Sequence, residues 1–361
     1  MKNKGFTLVE LLAVIAILAL LVIIALPNVL KMFNQAKKDT FLTESKNIYK
    51  EISKKYISET MKGNKINNIS NTNNKLDLES NNLKYNVKLN NDGSIKKFQV
   101  SNGTYCLSGK FNNLSELTTD KITEGECVIR EPKDFSTDSW ETIVEAVEEG
   151  NTSKYNVGDT KEIDLGSYGK HTLRIANKST PSECSTAGFS QTACGFVLEF
   201  ADIITTHKMN DTNTNVGGWP ATTMRTFVNN DIYNSLPTDL RNAIIDTTVV
   251  SGHGSTSGEE NFTSTDKLYL LAPKEIYTNW FRSSDTAKDL TRTLDYYTNQ
   301  GVTDGSYSGA IKKNETSPAI WWLRTAYDNR TYTFLFVNDN GNHNNYYAGS
   351  TDGVAPAFRL G

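Results

Sequence analysis

Residues 1–30 read MKNKGFTLVELLAVIAILALLVIIALPNVL, and the reading of this stretch decides the organisation of the whole chain. Lys2 and Lys4 precede an apolar run from Phe6 to Leu26. At 1.5 Å per residue that run makes a helix of about 31 Å, the thickness of a bilayer core. The two lysines hold the extreme N-terminus on the cytoplasmic side. A secretory signal peptide has a shorter apolar core with a small-residue cleavage site after it. Here the polar, glycine-containing segment Lys4-Gly5-Phe6-Thr7-Leu8-Val9-Glu10 comes first. Glu10 is a lone carboxylate in a segment of membrane length, which is costly and calls for a partner or a function. Pro27 removes one helical hydrogen bond and predicts a bend.

This stretch resembles the class III signal of type IV prepilins and pseudopilins. The resemblance implies a leader of residues 1–5, cut between Gly5 and Phe6 by a prepilin peptidase, with N-methylation of Phe6. Glu10 then stands fifth in the mature chain, where the family's glutamate neutralises the N-terminal amine of a neighbouring subunit. Opposite charges in lipid offset each other's desolvation, so the physics agrees. The implied partners are the peptidase, other pilin subunits and, before assembly, the membrane. The implied location is the cell membrane first, then an extracellular pilus or pilus-like filament.

Working outward, the helix is expected to continue as a stalk, so that the membrane and stalk helix covers residues 6–62. Ile48, Tyr49, Ile52 and Tyr56 recur at three- and four-residue spacing among lysines and glutamates, one apolar stripe on a solvated helix. Gly63 ends it. Residues 64–82 read as a polar loop. Tyr85, Val87 and Leu89 then alternate, Asn90-Asn91-Asp92-Gly93 turns the chain, Ile95 to Val100 returns, and Asn102-Gly103 leads into Tyr105-Cys106-Leu107. This predicts a β-meander within a domain of residues 63–130. A long helix carrying a small antiparallel meander is the pilin fold by resemblance. A linker is expected at 131–138. The helix after it is given a capping box at Asp138 and Glu141, an apolar face of Trp140, Ile143, Val144 and Val147, and a stop at Gly150.

Residues 139–361 read as many short strands with a few helices, the clearest at Ala221 to Asn230 and Pro237 to Ile245, so the chain as a whole is α+β. The segments Tyr155 to Thr160, Gly218 to Arg225, Lys267-Leu268-Tyr269-Leu270-Leu271, Trp321-Trp322-Leu323-Arg324 and Gly353 to Leu360 resemble a domain recurring at the C-termini of Firmicutes surface proteins, over about residues 135–361. That family is similar to the C-type-lectin-like fold of formylglycine-generating enzymes and of variable receptor-binding proteins. Formylglycine-generating enzymes use cysteines late in the fold, and this chain has none after Cys194. No Ser/His/Asp set, HExxH or P-loop is legible either, so no enzymatic activity is expected.

The four cysteines form two short-range pairs, Cys106 with Cys127 and Cys184 with Cys194. Export makes disulfides the reading, with buried free thiols as the alternative. No metal site is expected: there is no CxxC, and His171, His207, His253 and His343 are scattered and read as surface or capping residues. No cofactor is expected, although a lectin-like fold is compatible with a structural calcium ion. The net charge of −3 gives no reason to expect nucleic acid. Arg225 and Arg324 read as paired structural charges. Of Trp321 and Trp322, adjacent in a strand, one is assigned to the core and the other to a surface border.

Tyr327 to Ser350 reads YDNRTYTFLFVNDNGNHNNYYAGS. Around a buried strand Phe334-Leu335-Phe336-Val337 stand Tyr327, Asn329, Tyr332, Asn338, Asn340, Asn342, Asn344, Asn345, Tyr346 and Tyr347. Tyr supplies rigid amphipathic contact area and Asn adaptable hydrogen bonding, the chemistry of antibody loops. These ten residues are the candidate ligand surface, for an unidentified surface protein or glycan. In the resembling variable proteins a retroelement mutates adenines near the C-terminus ahead of a fixed tail. Asn and Tyr codons contain adenine, and Asp352 to Gly361 stands where that tail would. Two functions remain: a minor pilin or adhesin displaying a ligand-binding domain, or a pseudopilin or structural subunit of a secretion or DNA-uptake machine.

Overall fold

The computed structural model describes residues 8–361 except 72, 79–81, 91, 128, 129, 131, 255–260 and 281–289. The expected processing residues Gly5 and Phe6, together with Asn91 and Glu131, lie outside the described residues. The chain forms two compact units, Met1–Ile129 and Arg130–Gly361.

In the first unit, α1 (Leu8–Met61) carries Pro27 in its interior. The segments Leu8–Leu21 and Leu26–Met61 bend by 41° relative to each other. No single helix among the described residues is long and apolar enough to cross a membrane, but this bent pair qualifies by length and composition. Leu8, Leu12, Ile15, Leu18, Leu21 and Phe33 are all exposed. A helix apolar on every face needs lipid or other helices around it. Further along, Phe41, Ser45, Ile48 and Ile52 are buried on one stripe, with Tyr49 and Tyr56 packed at its margin. Gly63 takes a positive φ of 83°, and the Asn64 amide donates back to the Glu59 carbonyl, closing the helix.

That stripe covers a five-stranded antiparallel meander in sequential order: β1 (Asn68–Ser70), β2 (Lys84–Leu89), β3 (Ile95–Ser101), β4 (Tyr105–Gly109) and β5 (Ile122–Glu124). The three central strands fall where alternation placed them. β1 corrects the expected polar loop at 64–82: Ile66, Ile69 and Leu76 are buried in the core of this unit. Cys106 and Cys127 are bonded at 2.05 Å and tie β4 to the residues after β5.

In the second unit, α2 (Trp140–Glu149) starts from Ser139, whose hydroxyl accepts from the Thr142 amide, and stops at Gly150 in the left-handed region. This corrects the expected capping box. Asp138 instead accepts from the Lys133 amide and the Tyr155 hydroxyl, both at 2.8 Å. One sheet has the order β18-β8-β7-β6, made of β6 (Thr160–Asp164), β7 (Lys170–Asn177), β8 (Phe196–Phe200) and β18 (Ala357–Leu360). A second has the order β16-β15-β14-β17-β9, made of β9 (Thr205–Lys208), β14 (Trp321–Ala326), β15 (Thr333–Val337), β16 (His343–Tyr347) and β17 (Thr351–Val354). Only its β14–β17 pairing is parallel. Two hairpins complete the unit, β10 (Thr247–Ser251) with β11 (Phe262–Asp266), and β12 (Lys312–Asn314) with β13 (Ser317–Ala319). The helical run expected at Ala221 to Asn230 starts at Thr223 and passes through a π-helical turn, Val228–Ile232, to end at Ser235. The one at Pro237 to Ile245 is Thr238–Ala243. Cys184 and Cys194 are bonded at 1.99 Å.

β14 is central and covered on both faces, so Trp321 and Trp322 are both fully buried. This corrects the division of the pair into one core and one border residue. Each indole N–H is satisfied, by the Ala310 and His207 carbonyls. Arg324 is also fully buried and makes a bidentate pair with Glu275, at 2.6 and 2.7 Å. Glu275 further accepts from the Thr291 hydroxyl at 2.8 Å, from the Ala272 amide at 2.8 Å and from the Thr192 hydroxyl. Arg225 pairs separately with Asp266 at 2.6 Å. A second buried centre joins Glu199 to Arg174, Lys312 and Tyr297. Burial works against the Glu199 charge, but Arg174 and Lys312 outweigh it and hold the carboxyl at about 2. Burial pulls Lys312 down to about 8 against that same carboxylate. Glu275, Arg324, Glu199, Lys312 and Tyr297 are buried, and the hydrogen bonds within each centre offset the cost of burying its charges.

Candidate ligand-binding edge and assembly helix

β15 is buried along its length, while β16 is the outer strand of its sheet. They pair from Thr333↔Tyr347 to Val337↔His343. The turn between them is built on three of the expected ligand residues. The Asn338 amide donates to the Asn342 carbonyl at 2.6 Å, the Gly341 amide to the Asn338 carbonyl at 3.0 Å, and the Asn342 amide to Asn340 Oδ1 at 3.0 Å. Gly341 has φ +89°, and a Cβ there would lie 2.1 Å from the Tyr307 carbonyl oxygen. The Tyr277 hydroxyl donates to the Gly341 carbonyl at 2.7 Å. Asn338, Asn340 and Asn342 therefore shape a turn clamped against the body of the unit.

Other expected residues come together at the opposite end of the hairpin. Tyr332 and Tyr347 stack with centroids 5.5 Å apart and planes 16° apart. Tyr346 lies 6.0 Å from Tyr347 and meets Phe336 edge-on at 6.1 Å. Asn344 is exposed and Asn345 half-buried between them and the turn. The Arg330 guanidinium sits 5.9 Å from the Tyr332 ring centroid. Tyr327 is half-buried against the core, and exposed Asn329 reaches its hydroxyl at 3.3 Å.

The sequence reading missed the residues that hold this cluster. The side-chain amide of Asn215, fully buried, donates to the carbonyls of Tyr327, Arg330 and Thr333 at 3.3, 2.7 and 2.9 Å. The Asn215 backbone amide donates to the Thr331 carbonyl at 2.8 Å, and Ala348 donates to Tyr332 at 3.0 Å. Asn213 Oδ1 accepts from the Gly349 amide at 2.9 Å. Three loops, 210–216, 327–333 and 347–350, thus lock together. The signal was present in Asn210-Asp211-Thr212-Asn213-Thr214-Asn215, which shares the Asn-richness of Tyr327 to Ser350 but has no Tyr.

The histidines, expected as surface or capping residues, are half-buried. His171 Nδ1 is 2.8 Å from Asp202 and its Nε2 is 2.8 Å from the Tyr168 carbonyl. His343 is paired with Asp304 beneath Trp280. His207 stacks on Phe227 at 4.2 Å. Among the described residues no group of three or more metal-ligating side chains is gathered.

In the first unit, Glu10 lies in the first described turn of α1, exposed among exposed apolar side chains. An open groove of about 520 Å³ runs beside the same helix, lined by Phe33, Lys37, Phe41, Leu83 and Tyr105 among others.

Compared with known families, residues 1–26 match the prokaryotic N-terminal methylation motif. Residues 196–361 match a domain of unknown function (DUF6273). No curated protein and no solved structure matches the chain. The first match implies prepilin peptidase processing, insertion in the membrane and pilin subunits as partners. The second gives no support to a lectin-like family for the C-terminal unit. The chain therefore has a type IV pilin-like prepilin signal at its N-terminus and a DUF6273 domain over residues 196–361.

Proposed function

We propose that the protein is a minor, pilin-type subunit that joins a filament through α1 and uses its C-terminal unit as an adhesin. One observation carries the adhesin part. Among the described residues of that unit, the large apolar side chains left exposed are Val216, Leu290, Tyr346 and Tyr347. Three of these four belong to the interlocked loops and β16. Monomeric domains seldom group exposed apolar side chains without a partner to cover them. Glu10 is assigned to assembly, as the counter-charge for a subunit's N-terminal amine in lipid. A large C-terminal unit suits a sparse subunit better than the bulk of a crowded filament. Diversification by a retroelement fits the same division: Asn344, Tyr346 and Tyr347 on β16 are exposed, whereas Ala357, Phe358 and Leu360 of β18 in the following tail are core. A near-repeat of codons 325–361 beside a reverse transcriptase gene would support it, and absence of both from the genome would end it.

The second reading is a pseudopilin or assembly subunit without a dedicated ligand, favoured by the open groove beside α1. Replacing both Tyr346 and Tyr347 by Ala separates the two. The adhesin reading expects surface binding to fall with thermal stability unchanged; unchanged binding favours the assembly subunit.

A further inference from the structure

We infer that the β16 edge recognises a neutral oligosaccharide, with a sugar ring stacked on Tyr347 and its hydroxyls bonded by neighbouring amides; this rests on the adhesin reading above. Tyr346 and Tyr347 are 44% and 47% exposed, so part of each ring remains open to a ligand. Stacking on Tyr332 occupies one face of Tyr347 and fixes its plane. Aromatic faces accept the C–H-rich faces of pyranose rings, because the ring face is the negative side of its quadrupole.

The polar groups around the rings have the same bias. From Asn344 to Ser350, and again from Thr212 to Val216, no side chain is charged. A primary amide both donates and accepts, and so does a sugar hydroxyl. The Arg330 guanidinium lies 5.9 Å from the centroid of the Tyr332 ring. His343 at the start of the strand is paired with Asp304. Sialic acids, uronic acids and phosphates would find no dedicated counter-charge on the strand itself.

Two other occupants fit less well. An extended peptide adding to the sheet needs the outward amides of the edge strand. At Asn345 that amide already donates to Asn344 Oδ1 at 2.8 Å. A folded protein partner engages roughly 20–30 residues a side, and the strand with its three loops presents fewer, because Asn210, Asn215, Thr333 and Ala348 within them are buried.

The test uses the full-length chain in detergent micelles on immobilised oligosaccharides. The neutral set ends in glucose, galactose or an N-acetylhexosamine. The comparison sets are their sialylated and uronic-acid counterparts and enzymatically deglycosylated cell-surface proteins. The expected result is binding to members of the neutral set that changes less than about twofold between low and high salt. Tyr347→Ala should weaken it about tenfold, and Tyr347→Phe and Tyr347→Trp should keep it within about threefold. Equal thermal melting of the three variants excludes misfolding as the cause. Tyr347-dependent binding to acidic glycans alone, or to deglycosylated protein, overturns the sugar class and leaves the adhesin reading standing. Surface attachment by the protein that is indifferent to Tyr346 and Tyr347 overturns both.

Discussion

Asn215 carries more of the candidate edge than any residue on it. Its one amide group donates to the Tyr327 and Arg330 carbonyls of the loop between β14 and β15 and to the Thr333 carbonyl at the start of β15, which also accepts from the Tyr327 amide. A buried carbonyl left without a donor costs about 1–3 kcal/mol, partly recovered if water enters. Asn215→Ala should therefore lower unfolding free energy by about 2–4 kcal/mol in a denaturant titration. It should also speed hydrogen exchange in residues 327–333. A loss under about 0.5 kcal/mol would show that the loop holds itself. His171 makes a prediction in pH. Both ring nitrogens face acceptors, and the hydrogen bond to Asp202 raises its pKa against the opposing pull of burial. A group whose folded pKa is raised contributes stability in full below its unfolded value, near 6.5, and loses it as pH climbs through the folded value. The stability gap between the wild type and His171→Gln should thus be widest at about pH 5–6 and narrow toward pH 9. A gap that widens with rising pH would contradict the charged pairing.

At the scale of elements, the β15–β16 hairpin depends on Gly341. Its φ of +89° already disfavours any other residue, and the Tyr307 carbonyl fills the space a Cβ needs. Gly341→Ala should cost about 2–4 kcal/mol, read by thermal or chemical unfolding, and should reduce Tyr346- and Tyr347-dependent binding as the strand shifts. Unfolding within about 0.5 kcal/mol of the wild type would show that the turn moves freely. The elements also show what a sequence can disclose. α1 and β2 to β4 were legible because their apolar residues recur at helical or strand period and Gly63 and Gly93 punctuate them. β1 is three residues long, too short for a period to show. Trp321 and Trp322 were misassigned because alternation separates the two faces of a strand, but cannot say that both faces are covered. Asn338, Asn340 and Asn342 were taken for ligand contacts because Asn is equally suited to turns and to recognition. Only the hydrogen bonds tell the two uses apart. The same ambiguity hid Asn213 and Asn215, whose partners lie more than a hundred residues away in sequence.

For the whole molecule, the account divides labour between two units. The first unit carries the prepilin signal, the exposed apolar half of α1 and Glu10. The second carries two buried, hydrogen-bonded ionic centres and an aromatic edge that is left exposed. Joining a filament and holding a ligand should then be separable by mutation. The most direct measurement compares Glu10→Ala and Tyr346→Ala/Tyr347→Ala in cells, counting the protein on isolated filaments by immunoelectron microscopy and scoring adhesion in parallel. The account predicts that Glu10→Ala removes the protein from filaments and adhesion with it. The tyrosine variant should appear on filaments at wild-type density yet lose adhesion. Wild-type adhesion by the tyrosine variant at equal filament density would contradict it.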